Sequence, residues 1–218
     1  MKIRFVSRVR VKAFKDGYES EGEDLILFGF NGMGVVSYEQ ELSGESGFFE
    51  ETALLSKSAK AVVVCGCVTD TRGIKRKSAL VAENGRLCGI CDMLHALDGE
   101  VSVGAGLKIY STKIGRMGVV VADDIAFPEA VKSLALCSAD FIVCPFGRVQ
   151  STLQQVLLRA YAYLYGVPIF FCGEGYCAVA NTSGSIAFSS PYSPVSVAFD
   201  SAQEYHLIQT RQRISAEE

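Results

Sequence analysis

The stretch that most constrains the fold is GVVVADDIAFPE, residues 118–129. Apolar residues from Val119 to Ala122 run directly into Asp123 and Asp124, and Pro128-Glu129 then opens the helix-like stretch PEAVKSLALCSA. A buried strand that turns straight into a helix commits the chain to an open α/β arrangement. In such folds chemistry sits at the carboxyl end of the strand and in the turn that follows it. Here that turn arrives with an alanine.

The flanking sequence supplies the remaining layers. The opening segment alternates Ile3, Phe5, Val9, Val11 and Ala13 with Lys2, Arg4, Arg8, Arg10 and Lys12, which predicts a strand with one wet, basic face. KDGYESEGED is a polar connection, LILFGF a short buried strand, and GFFEETALLSKSAK a helix leading into the strand AVVVCGCVTD. Residues 74–91 read as a hairpin turning at ENG, and GLKIYSTKIGRMGVVVA as a second hairpin with KIGR at its tip. After the 128–139 helix come the strand DFIVCPF, the helix STLQQVLLRAYAYLY, the strand VPIFFCG, and short strands up to EYHLIQT. Strands alternating with helices, with hairpins between them, predict one mixed-sheet α/β domain over 1–218.

Composition narrows the classes. With 218 residues, 49% of them hydrophobic, 21% charged and a formal charge of −3, the chain suits one globular core and gives no bulk attraction to nucleic acid. No apolar run approaches the roughly 18 residues of a membrane span. The expected location is cytoplasmic, with neither nucleic acid nor membrane as a partner, and the eight cysteines are expected as reduced, mostly buried thiols. The cluster Arg72, Lys75, Arg76, Lys77 reads as solvated surface.

The motif at 118–129 resembles the nitrilase (carbon-nitrogen hydrolase) superfamily, in which a Gly-rich strand leads to a Cys-Tyr-Asp elbow and a Phe-Pro-Glu helix start. Gly118, Asp124, Phe127, Pro128 and Glu129 keep that frame. DLILF, ALVAENGRLCGICDMLHAL, SADFIVCPFG, LLRAYAYLYGVPIFF and SGSIAFSSP resemble further family segments, in the family's order. The resemblance implies a layered α-β-β-α sandwich. It also implies a Glu-Lys-Cys triad: a thiolate attacks an amide or nitrile carbon, a carboxylate moves protons, and an ammonium stabilises developing charge. Transferred residue by residue, the Glu position falls on Phe30, the Lys position on Met93 and the Cys position on Ala122. An alanine methyl, a phenyl ring and a thioether are expected to fill the vacated pocket without leaving buried charge. Shifting a loop would instead bring in Glu39, Glu41 or Lys75. The interval before the Glu-bearing strand is short, so the family's first helix is expected to be thinned or missing.

Asp123, Asp124, His95, Cys144, Cys172 and Glu174 are the candidate pocket-lining groups. The main expectation is a non-catalytic protein, free of metal and cofactor, that binds a small molecule or a partner. The alternative is an active amidase with relocated residues, or a thiol enzyme using Cys144 or Cys172 activated by His95, Asp123 or Glu174. Arg159 is the expected ion-pair partner of Asp124 or Glu129. A zinc or redox module built on Cys65, Cys67, Cys88 and Cys91 is a weaker alternative, because the CGC pair lacks the usual two-residue spacing. His206 carries no specific expectation. The apolar excess on helix 151–165, together with the family's habit, implies a homodimer.

Overall fold

The computed structural model describes residues 1–96 and 101–200. The first half runs β1 (Lys2–Val6), α1 (Val11–Asp16), β2 (Leu25–Phe28), β3 (Gly34–Ser37), α2 (Tyr38–Ser43), α3 (Phe48–Ala59), β4 (Val62–Thr71), β5 (Ile74–Glu83) and β6 (Arg86–Asp92). The second runs β7 (Lys108–Thr112), β8 (Gly115–Val119), α4 (Pro128–Leu136), β9 (Phe141–Arg148), α5 (Leu153–Tyr165), β10 (Ile169–Glu174), β11 (Tyr176–Ala180), β12 (Ile186–Ser190) and β13 (Val195–Ala198). The expected strand at EYHLIQT, with His206, lies outside the described residues.

Two mixed sheets result. One has the order β13-β1-β2-β4-β5-β6, with β3 paired to the far end of β4; the other is β12-β11-β10-β9-β8-β7. Each has three parallel strands at its centre and antiparallel strands at its flanks, and β13 crosses back to pair with β1.

Strict alternation sorts the side chains into layers. On β4, Val62 and Val64 face the second sheet, while Val63, Cys65 and Cys67 face outward; on β9, Phe141 and Val143 face inward and Ile142 and Cys144 outward. The inner faces make the central core. The outward faces are covered by α1 and α3 on the first sheet and by α4 and α5 on the second. The architecture is therefore the expected α-β-β-α sandwich.

The amino-terminal expectation needs correction. Residues 2–13 do not form one strand: β1 ends at Val6, and Val11 and Phe14, three apart on one face, are buried as the inner side of α1. The first-helix layer is thus thinned rather than missing. Nor is the basic face of β1 wholly wet. Arg4 donates to the buried Glu23 carboxylate at 2.7 Å, and its guanidinium lies 5.8 Å from the Phe14 ring centroid and 5.9 Å from that of Tyr18. The polar connection folds back against β1 through Glu23.

Candidate functional site

The elbow forms because β8 runs out against β9 while the chain must turn outward to start α4. Val120 N–H still bonds Val143 C=O at 3.0 Å; two residues later Ala122 adopts φ 49° and opens a 3₁₀ turn, Ala122–Ala126. A left-handed backbone on a residue with a Cβ costs about 1–2 kcal/mol. The elbow therefore keeps a strained geometry that projects residue 122 away from the sheet.

Asp124 anchors the turn from inside. Its buried carboxylate accepts from Leu94 N–H at 2.9 and 3.0 Å, from His95 N–H at 2.9 Å, and pairs with His95 Nδ1 at 2.9 Å. Burial pushes this carboxyl above its ordinary range, against the pull of those hydrogen bonds. The His95 ring stacks on Phe127 at 3.9 Å, so His95 fixes the elbow to the strand end that carries Met93. Arg159 is not its partner: Arg159 Nε donates to Gly184 C=O.

Asp123 turns the other way, towards Lys77 of β5, whose Nζ lies 2.7 Å from Asp123 Oδ2. These two groups, with Phe30, Ala122, Phe146 and Gly147 below and Arg148, Gln150, Ser151 and Gln154 above, line a cavity of about 750 Å³. It opens beyond the carboxyl ends of β2 and β9 and beside the turn after β8, where open α/β sheets bind ligands.

The three positions to which the resemblance transfers the triad behave differently from one another. Ala122 and Phe30 line the cavity, whereas Met93 is fully buried in the central core, its N–H bonded to Lys77 C=O at 2.8 Å. The expectation that the three replacements fill the pocket does not hold: an open space remains, because Phe30 lies flat against β4. A Cβ on Gly66 would come within 2.7 Å of the Phe30 ring. This explains the CGC sequence. Its glycine admits the phenyl ring on one face, and its cysteines pack behind the sheet on the other.

Lys77 is the group that sequence reasoning missed. It lies one strand from Met93 and shares a face with Ala79 and Val81, both of which point into the central core. Period-2 alternation from those residues was the available signal.

The other candidates lie elsewhere. Of the two named cysteines, Cys144 faces α4 and α5, and Cys172 faces the central core beside Cys177, Sγ to Sγ 3.8 Å. Burial pushes both thiols well up, away from thiolate character. Glu174 accepts from Asn31 Nδ2 and approaches Arg8 at 3.9 Å, outside the cavity wall. Asp124 and His95 stand behind the elbow and are not part of that wall. The loop-shift alternatives also fail: Glu41 accepts from Phe48 and Phe49 N–H at the start of α3, Glu39 pairs with Arg72, and Lys75 does not line the cavity. Cys65 and Cys67 face one side of the first sheet and Cys91 the other, so the four thiols do not converge.

No family model matches the chain. A Schizosaccharomyces pombe protein named as a probable nitrilase is 27% identical over 127 residues, covering 55% of this chain. That match spans about half of the relative, 47% of its length. A cysteine-to-alanine mutant of the Nesterenkonia AN1 amidase, from the nitrilase superfamily, superposes with a TM-score of 0.76 at 16% identity, over 90% of this chain and 88% of that one. Saccharomyces cerevisiae Nit3, a member of branch 10 of the superfamily, gives 0.72 at 16% identity over the same shares. The Nesterenkonia mutant in complex with butyramide gives 0.74 at 17% identity, again over 90% and 88%.

Proposed function

We propose that the chain is a nitrilase-superfamily protein that does not perform thiol-dependent C–N hydrolysis but binds a small molecule in the cavity over Ala122. The observation that carries this reading is the elbow itself. Its backbone is held at φ 49° and its anchor Asp124 is fully hydrogen-bonded, yet the residue presented to the cavity has only a methyl group. A covalent acyl intermediate needs a nucleophile at that point. Lys77 and Asp123 restore an ammonium and a carboxylate to the cavity, but among the described residues neither histidine nor cysteine lines it, and the Ser151 hydroxyl there donates to the neutral Gln154 amide.

The test is ammonia release from butyramide and butyronitrile by the purified protein and by Lys77→Ala and Asp123→Ala. All three are expected to match the buffer blank. Turnover by the natural sequence that disappears in Lys77→Ala would establish a relocated active site and reject the reading.

We also propose a homodimer through helix 151–165, in a cytoplasmic setting. Leu153, Val156 and Leu164 are each more than half exposed along α5, an apolar stripe that association would cover. Light scattering after size exclusion is expected to give twice the chain mass, falling to one chain mass in Val156→Glu; a monomeric natural sequence would remove this proposal.

A further inference from the structure

Resting on the binding reading above, we infer that the cavity selects a small organic acid, with Arg148 as the carboxylate-recognising residue and Lys77 as a shared second cation. The charged groups in its wall are two cations, Lys77 and Arg148, and one anion, Asp123, in a protein whose formal charge is −3. The wall therefore carries one net positive charge. The two cations are not equivalent. Lys77 is committed to Asp123 at 2.7 Å, whereas among the described residues no carboxylate lies within ion-pairing distance of the Arg148 guanidinium. A planar guanidinium fork with no carboxylate partner among the described residues, at the mouth of a cavity, matches the two oxygens of a carboxylate.

The remaining wall completes the selectivity. Gln150, Ser151 and Gln154 offer neutral hydrogen-bonding groups beside Arg148, and α5 starts there without an acidic residue in its first turn. Phe30 and the Ala122 methyl form an apolar floor that suits a short hydrocarbon chain and gives a bare inorganic anion no contact. Asp123 holds the Lys77 ammonium at the inner end, where it is shared with an acidic or carbonyl oxygen of the ligand. No bond is made or broken in this proposal.

The experiment is calorimetric titration of the full chain with butyrate and with butyramide, which have similar shape but differ in charge. Butyrate is expected to bind about tenfold more tightly, as a charge-assisted pair requires. Arg148→Gln should reduce butyrate affinity by about the same factor and leave butyramide unchanged. Arg148 is exposed, so the variant is expected to keep the parent melting temperature, and Arg148→Lys, which keeps the charge without the fork, should fall between the two. Equal or tighter butyramide binding, an Arg148→Gln variant that retains the preference, or no saturable binding of butyrate at about 10 mM would each overturn the inference. Inorganic phosphate that binds as well as butyrate would overturn the organic-acid class. Butyramide binding without butyrate binding leaves the non-hydrolytic binding reading standing and removes only this inference; ammonia release from butyramide would reject that reading whichever acid binds.

Discussion

Phe30 and Gly66 show how one side chain is accommodated by the lack of another. The ring at 30 lies where the resemblance implies a carboxylate, and it fits only because residue 66 has no side chain on that face of β4. Gly66→Ala places a Cβ 2.7 Å from the ring and forces Phe30 off the sheet into the cavity. Overpacking of this kind costs about 1–3 kcal/mol, so the variant is expected to unfold at lower denaturant concentration and to lose the butyrate binding proposed above. Unchanged stability would mean that Phe30 moves freely and does not set the cavity floor. At this scale the sequence was legible where the backbone leaves little slack: Ala122 sits between Gly118 and Pro128, and its place at the elbow could be read directly. Lys77 was not, because four basic residues in six read as solvent-facing until the inward alternation of Ala79 and Val81 is extended to them.

Among elements, the amino-terminal layer departs most from expectation. Charge alternation in residues 2–13 mimics a strand, but Val11 and Phe14 are better buried on one turn of helix against α3 and the outer face of β2 than on a strand edge. No local signal separates these choices, since the deciding contacts come from residues far along the chain. The Arg4–Glu23–Tyr18 cluster then seals the shortened layer: Tyr18 Oη donates to Glu23 at 2.6 Å and Arg4 at 2.7 Å. Burial works to raise the Glu23 carboxyl, but the bonds from Tyr18, from the N–H groups nearby and from Arg4 outweigh it and hold the group below its ordinary 4.5. A depressed carboxylate stabilises the fold above its unfolded pKa, and that contribution is lost as pH falls through the folded value. Glu23→Gln is therefore expected to be about 1–3 kcal/mol less stable at neutral pH, with the gap to the parent closing below about pH 4.5. Parallel pH profiles for the two proteins would place the acid-sensitive group elsewhere.

For the whole molecule, the decisive geometry is the meeting of the two sheets. The apolar central core locks them together, and the cavity occupies the end where β2, β9 and the turn after β8 finish near one another. The sandwich was legible because strand-helix order and strict alternation are properties of the chain itself. The openness of the cavity was not, because it depends on where Phe30 comes to rest against a neighbouring strand. We propose that this end binds without hydrolysing. That proposal is tested most directly by proton NMR of butyramide held with the natural protein for a day, with the alanine methyls carbon-13 labelled and the Ala122 signal assigned by Ala122→Gly. Added butyramide is expected to shift the Ala122 methyl while the butyramide itself is not converted. Accumulation of butyrate and ammonium at a rate proportional to protein concentration would contradict the proposal.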